Sequence, residues 1–398
     1  MKKLYIVSLK TFFYQDGKVS TYGGFGEYVK MFLDDFDEVH LCVPLASYVI
    51  DGGYPLEHPK IKYHFLPYYH NELWLLIKSP LIFLYLLFYL PKADVINPRI
   101  PDMIGVYGWI IGKLFRKPMF ISVQSDITLL LESAEGTRLK GIMKKGLFTW
   151  FRFYLLFEKM IIKDSLSFPQ GFRLINKYCK DNDKAIPWTS TAIIEKDISL
   201  RLKEKAIKDN EIINILIVAR VCVQKSHKDL VSAVKILVDK GYRNIRLNIV
   251  GKKDEDVYKN LLTQIDNLKL KEFVNIYRPT NHGEELWKVF DSADIFVLSS
   301  LWEGTPKVLL EAMARSLPVV STNVGGIPSV LEDGVNGFMC EPSNPEDLAN
   351  KIEKMINLEL DELNSFVIKS NEMAKANTLR VQKQVILDNL YKFGILKK

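Results

Sequence analysis

Residues 295–338 read IFVLSSLWEGTPKVLLEAMARSLPVVSTNVGGIPSVLEDGVNGF. Two periodicities alternate within this stretch. Ile295–Ser299 is a short apolar run, the pattern of a buried strand. Pro306–Arg315 carries its apolar residues at helical spacing, with Thr305 as candidate N-cap and Pro306 as candidate first helical residue. Pro318–Ser321 returns to a short apolar run. Strand, helix and strand of these lengths predict a right-handed βαβ unit in a parallel sheet.

The alternation continues outward. Ile213–Ala219, Arg246–Val250 and Val274–Tyr277 read as strands. Lys228–Lys240, Asp256–Asn267 and Glu284–Ser292 read as helices. The N-terminal half repeats the theme less cleanly, with strand candidates Leu4–Leu9, Val39–Val43, Tyr63–Leu66, Val95–Asn97 and Met119–Val123. A helix is predicted to begin near Glu27, after Gly23, Gly24 and Gly26. The predicted fold class is α/β: two Rossmann-like doubly wound domains facing across a cleft. The first spans residues 1–190 and the second 191–378. Residues 379–398 follow, and Leu379–Phe393 reads as an amphipathic helix.

Bulk properties narrow the class. Of the 398 residues, 48% are hydrophobic and 25% charged, which excludes a disordered chain. Cys42, Cys179, Cys222 and Cys340 form no CxxC pair, which predicts free thiols rather than a disulfide framework or a zinc site. The apolar run Leu4–Leu9 is too short for a signal peptide core and is read as the first strand, so a cytoplasmic protein is expected. Nearly all of the net charge of +7 lies in residues 1–190, which hold 24 Lys and Arg against 18 Asp and Glu. Within that half, residues 137–163 carry seven basic residues and the single acid Glu158. Arg138, Lys144, Lys145 and Arg152 accompany Trp150 and several phenylalanines, a mixture suited to an anionic membrane surface.

The candidate chemistry gathers at predicted carboxyl ends of strands, where open parallel sheets bind ligands. The N–H groups of Lys307, Val308 and Leu309 are expected to point out of the helix start, where the helix dipole favours a diphosphate. Glu303 lies in the preceding loop and Glu311 in the helix. Both carboxylates suit the vicinal diol of a ribose or a hexose. Arg220 and Lys225 follow the strand Ile213–Ala219 and could stabilise charge developing on a leaving diphosphate. His227 is read as a surface residue. Asp35-Phe-Asp37, Asp181-Asn-Asp183 and Asp254-Glu-Asp256 imitate a metal-binding triplet but sit among polar residues, so no metal site is assigned. Leu73–Leu90 is the most apolar stretch. Lys78 and Pro80 interrupt it, so a buried core helix is the default reading and a helix lying in the plane of a membrane the alternative.

Glu303-x7-Glu311 with its surroundings EGTPKVLLEAMA, PVVSTNVGGIP and DGVNGF resembles the retaining glycosyltransferase family 4, the group 1 glycosyltransferases. Arg220-x4-Lys225 is similar to that family's phosphate-binding pair, and Tyr22-Gly23-Gly24-Phe25-Gly26 to its glycine loop. The resemblance implies a GT-B fold, with the acceptor on the domain 1–190, the nucleotide sugar on the domain 191–378, and the helix within 379–398 crossing back to the N-terminal domain. It implies a retaining, metal-independent hexosyltransferase with a nucleotide-diphosphate sugar as donor and no cofactor. Glu311 would bind the donor ribose and Glu303 the transferred sugar. The backbone of Thr305, Pro306, Lys307 and Val308 would contact sugar and phosphate, while Arg220 and Lys225 would hold the diphosphate. Gly24 and Gly26 would let the glycine loop approach the donor. Gly251 and Arg278 are placed near the base, and Gln124 and Asp126 near sugar or acceptor. Ser226 and Ser316 stand where the family usually has Gly, Ser329 where an acid is common, Lys252-Lys253 in place of a glycine-containing turn, and Gln124 where a histidine is common.

The expected function is transfer of a sugar onto a glycan, lipid-linked, at the inner face of a membrane, with no nucleic-acid partner. Two other readings stay open on the residues: a nucleotide-sugar epimerase or phosphorylase on the same fold, and a non-catalytic subunit that binds nucleotide sugar or nucleic acid.

Overall fold

The computed structural model describes residues 2–22, 24–50, 53–70, 72–124, 154–280 and 283–397. The chain divides into two compact units, residues 1–192 with 382–398, and residues 193–381.

In the first unit, β1 (Lys3–Val7), β4 (Glu38–Ala46), β6 (Ile61–Leu66), β7 (Val95–Ile100), β8 (Phe120–Val123) and β9 (Leu166–Pro169) pair in parallel in the order β6-β4-β1-β7-β8-β9. This order steps out from β1 on both sides, as in a doubly wound sheet. Three further strands extend it beyond the reading of the sequence. β2 (Phe12–Gln15) and β3 (Lys18–Tyr22) form an antiparallel hairpin, and β5 (Gly53–Pro55) pairs with β3. The hairpin turns at Asp16 (φ 52°) and Gly17 (φ 75°). Two consecutive left-handed residues match the twist of the flanking strands, and Asp-Gly is the favoured dipeptide there. That signal was present in the sequence.

Helices cover both faces of this sheet. On one face, Leu75, Ile82 and Leu86 of α2 (Glu72–Tyr89) and Ile104 and Ile111 of α3 (Met103–Leu114) pack against Tyr5, Val7, Cys42 and Ile96. Tyr154, Ile161 and Ile162 of α4, described over 154–164, pack with Val106 and Trp109 of α3 against Ile121 and Val123. On the other face, Tyr28 and Phe32 follow the start of α1 (Phe25–Lys30). There the Tyr28 ring meets Trp188, and the Phe32 ring meets Phe120. α2 runs through Pro80, and it is not the wholly buried core helix of the default reading. One side packs in the core while Trp74, Ile77, Leu81, Leu84 and Phe88 are exposed. α5 (Phe172–Tyr178) follows β9.

The second unit is a six-stranded parallel sheet ordered β12-β11-β10-β13-β14-β15, with β10 (Ile213–Val218), β11 (Ile245–Val250), β12 (Val274–Tyr277), β13 (Ile295–Leu298), β14 (Val319–Thr322) and β15 (Phe338–Cys340). It is flanked by α6 (His227–Asp239), α7 (Glu255–Asn267), α8 (Glu284–Asp291), α9 (Lys307–Ala314), α10 (Pro345–Ile356) and α11 (Leu360–Ala376). Ile215 and Ile217 of β10 face one core, and Leu216 faces the other. Both faces are therefore covered, which explains why these strands read as continuous apolar runs. α12 (Leu379–Lys392) ends the helical structure. Its Gln382 belongs to the first unit, where Gln382 O accepts from Trp188 Nε1 (3.2 Å) and Lys383 pairs with Asp35 (2.8 Å).

Candidate active site

The polar residues of the second unit gather where β10 and β13 end. These strands are parallel neighbours, so the loops after them emerge side by side. Hydrogen bonds sew the two loops together. Leu301 N–H donates to Gln224 O (2.8 Å) and Gln224 Nε2 donates to Trp302 O (2.9 Å). Ser299 Oγ donates to the carbonyls of Lys225 (2.9 Å) and Ser226 (3.2 Å). Lys225 Nζ and Ser300 Oγ then converge on one oxygen of Glu303, the serine at 2.5 Å. Glu303 is only 6% exposed. A carboxylate taken from water needs a cation and further donors, and Lys225 and Ser300 supply them. Gln224, Ser299 and Ser300 were not singled out in the sequence. Short polar residues at the end of an apolar strand are too common to carry a signal alone.

A second turn presses on the Glu303 loop. Gly325 has φ 56°, and a Cβ there would lie 1.8 Å from Glu303 O. Gly326 N–H donates to Gly304 O (2.7 Å), and a Cβ on Gly326 would meet that same oxygen at 2.3 Å. The Gly-Gly pair thus lets one backbone lie directly on another.

The start of α9 differs from its expectation in three details. The N-cap is Pro306, not Thr305, and it makes no side-chain cap bond, because the chain stays extended through Pro306 (ψ 113°) and the helix opens at Lys307. The Thr305 Oγ1 is instead a buried oxygen with no hydrogen-bond partner. Leu309 N–H donates to Pro306 O (3.1 Å), so of the three amides expected to be open this one is satisfied. Glu311, one turn into α9, is 7% exposed. An unpaired buried hydroxyl costs free energy unless something bonds it. A diphosphate-sugar oxygen at the helix start has the matching chemistry.

Arg220 follows β10 and is exposed, with no ion pair among the described residues. Lys225 is therefore placed against Glu303, and Arg220 emerges from the end of the same strand, β10. His227 departs from its surface reading. It opens α6 at 2% exposure, and neither ring nitrogen has a partner. Burial, reinforced by the Lys225 charge, pushes its pKa down to about 4, so the ring is neutral at physiological pH. Ser226 before it and Ser316 after α9 have φ 41° and 60°. Both are left-handed positions that glycine would occupy without strain. Gly251 follows β11, and a Cβ there would meet Ala219 O at 2.1 Å. Arg278 is exposed beyond β12.

In the first unit, Gly26 N–H donates to Tyr54 Oη (3.1 Å), and a Cβ on Gly26 would clash with that ring. Gly24 caps α1. Gln124, just past β8, accepts from Arg99 Nη2, whose guanidinium lies over the rings of Tyr28 (4.2 Å) and Phe25 (4.9 Å). Asp126 and the residues Arg138, Lys144, Lys145, Trp150 and Arg152 of the expected membrane patch lie outside the described residues. Among the described residues no three His, Cys, Asp or Glu side chains are grouped to hold a metal. Asp35 is committed to Lys383, and Asp254 precedes α7.

Residues 199–377 match the family model described as glycosyl transferases group 1. CapM of Staphylococcus aureus, a capsular polysaccharide biosynthesis glycosyltransferase, is 27% identical over 286 residues, covering 68% of this chain and 70% of CapM. HepE of Anabaena, solved with UDP, superposes with a TM-score of 0.70 at 18% identity, covering 98% of this chain and 100% of HepE. WaaG, a glycosyltransferase involved in lipopolysaccharide biosynthesis, superposes with a TM-score of 0.66 at 14% identity over 98% of this chain and 99% of WaaG. Two Rossmann-like domains with these whole-chain likenesses define a GT-B fold. The second unit carries the group 1 glycosyltransferase domain of family 4, a family of retaining hexosyltransferases.

Proposed function

We propose that this enzyme transfers a hexose, with retention and without a metal, from a nucleoside-diphosphate sugar to a lipid-linked glycan in surface polysaccharide synthesis at the cytoplasmic face of a membrane. The observation that carries the donor reading is the sewn pair of loops that holds Lys225 on Glu303 at the carboxyl ends of β10 and β13. UDP is the proposed nucleotide, because HepE has been solved with UDP-glucose. Surface polysaccharide is proposed because CapM and WaaG act in such syntheses.

In this reading Glu311 takes the ribose diol and Glu303 the hydroxyls of the sugar. Arg220, Lys225 and the start of α9 take the diphosphate. As the glycosidic bond breaks, negative charge grows on the leaving phosphate. Two fixed cations and a helix N-terminus stabilise it in place, which is the work a divalent ion does elsewhere. An oxocarbenium-like centre forms, and the acceptor hydroxyl attacks from the face the phosphate leaves. The acceptor's proton passes to the phosphate, so no protein nucleophile takes part.

The test is a thermal-shift screen of UDP-, GDP- and ADP-sugars, followed by sugar transfer by the hit with and without EDTA. Lys225→Ala and Arg220→Ala are each expected to lower kcat by about 100-fold or more, the scale of losing one charge-stabilising donor. Turnover within a few-fold of wild type in either variant sinks the site assignment. Loss of activity in EDTA sinks the metal-free mechanism.

A further inference from the structure

We propose that the outer face of α2 and the basic end of α3 dock the enzyme in the plane of an anionic phospholipid leaflet. The inference deepens the membrane reading above and rests on it. It centres the contact on α2 and α3, outside the 137–163 stretch, with Leu156 and Met160 the residues of that stretch that adjoin it.

On α2, Trp74, Ile77, Leu81, Leu84 and Phe88 are between 46% and 63% exposed. Their spacing of three and four residues puts all five along one side of the helix. The opposite side, with Leu75, Ile82 and Leu86, is packed into the core of the first unit. By length and composition Trp74–Lys92 could cross a bilayer. Crossing would pull the buried side off the sheet, whereas lying in the interface leaves it packed and buries only the side that is exposed. The apolar surface continues to neighbouring helices of the same layer. Leu114 and Phe115 at the end of α3 are 67% and 43% exposed, and Leu156 and Met160 of α4 are 66% and 45% exposed. A run of large apolar side chains on this scale marks an interaction surface rather than scattered exposure.

The charges around this surface select the partner. Between Trp74 and Lys117 the only acids are Asp94 and Asp102. Asp94 accepts from Lys3 N–H and Asp102 caps α3, so both are engaged within the fold. Lys78, Lys92, Lys113, Arg116 and Lys117 lie along the same segment. At the end of α3 a crevice of about 420 Å³ is lined by Lys113, Arg116, Lys117 and Lys184, with Asp164 as its one acid. Asp164 is paired with Lys113 (2.5 Å), and Arg116, Lys117 and Lys184 make no ion pair among the described residues. Apolar side chains beside unpaired cations match acyl chains beside phosphate headgroups. A protein partner would have to bring both an apolar groove and a cluster of acids.

The experiment is flotation of the full chain with vesicles of phosphatidylcholine alone or with phosphatidylglycerol, at low and high salt. Two variants are compared with wild type: Leu84→Glu/Phe88→Glu on α2 and Arg116→Glu/Lys117→Glu at the end of α3. Leu84, Phe88 and Arg116 are exposed and Lys117 is half-buried, and an unchanged thermal midpoint verifies folding. Wild type is expected to float with anionic vesicles only, less so at high salt. The α2 variant is expected to lose flotation. Removal of each positive charge is expected to weaken partitioning about five-fold. If wild type floats and both variants float equally well, this surface is wrong while membrane attachment stands. If wild type floats with neither vesicle, both the surface and the membrane reading fall. Equal flotation with phosphatidylcholine alone overturns the anionic leaflet. Self-association that disappears in the α2 variant without vesicle binding assigns the face to a second copy of the chain instead.

Discussion

At the scale of single residues, the Lys225–Glu303 pair separates stability from chemistry. Removing one member leaves the other charged and buried. Lys225→Met is expected to destabilise the fold by about 3 kcal/mol, and adding Glu303→Gln is expected to restore most of that loss. Urea titration of the single and double variants measures both, and transfer activity is expected to stay absent in each. Ser316 offers a second contrast. Its backbone is left-handed, while its Oγ donates to Ser199 O (2.6 Å) and accepts from Arg201 N–H (2.9 Å). Ser316→Ala keeps the strain and loses both bonds, whereas Ser316→Gly loses the bonds but relieves the strain. The alanine variant is expected to be about 1 kcal/mol less stable than the glycine variant by denaturant midpoint. His227 links burial to pH. Its pKa is about 4 in the folded chain and near the ordinary 6.5 unfolded. Below pH 6.5 the unfolded chain therefore binds the extra proton, and stability falls until the pH reaches about 4. The gap corresponds to about 3 kcal/mol. His227→Gln is expected to flatten that part of the stability–pH curve. An unchanged slope between pH 6.5 and 4 would show that this histidine is not buried neutral.

Among elements, the ones read correctly from sequence are those whose signal is local. The strand Ile295–Leu298 and the helix after it announce themselves by a change of period within twenty residues. The β2–β3 hairpin was legible too, through Asp16-Gly17, but its short strands are only partly apolar and were passed over. Gly17 at φ 75° has open space around its Cβ position. Gly17→Ala therefore adds backbone strain without a clash and is expected to cost about 1 kcal/mol in thermal or chemical denaturation. A cost near zero would argue against the two-residue turn. α2 was misread for a physical reason. Its residues are apolar nearly all round, so periodicity could not say which side the core would take.

For the whole molecule, the two units hold separate cores, and the family model lies within residues 199–377. A nucleotide sugar bound by the second unit stabilises that unit by mass action, by about 2.7 kcal/mol at a hundred-fold excess over Kd. Hydrogen exchange is expected to slow in the loops 220–226 and 301–308 on adding the UDP-sugar. Protection confined to the first unit would move the donor site.

The sequence by itself determined the parallel α/β architecture, the Glu303-x7-Glu311 segment and the Arg220–Lys225 loop. Each of these is written in contiguous residues, where chain geometry and side-chain chemistry act together over a few bonds. Tertiary structure alone decided that Lys225 meets Glu303 across 78 residues of chain. It alone buried His227, left Thr305 Oγ1 unpaired and turned one side of α2 outward. Those outcomes depend on which strands become neighbours and on how much water each side chain loses, and neither is recorded in the order of residues along a single segment.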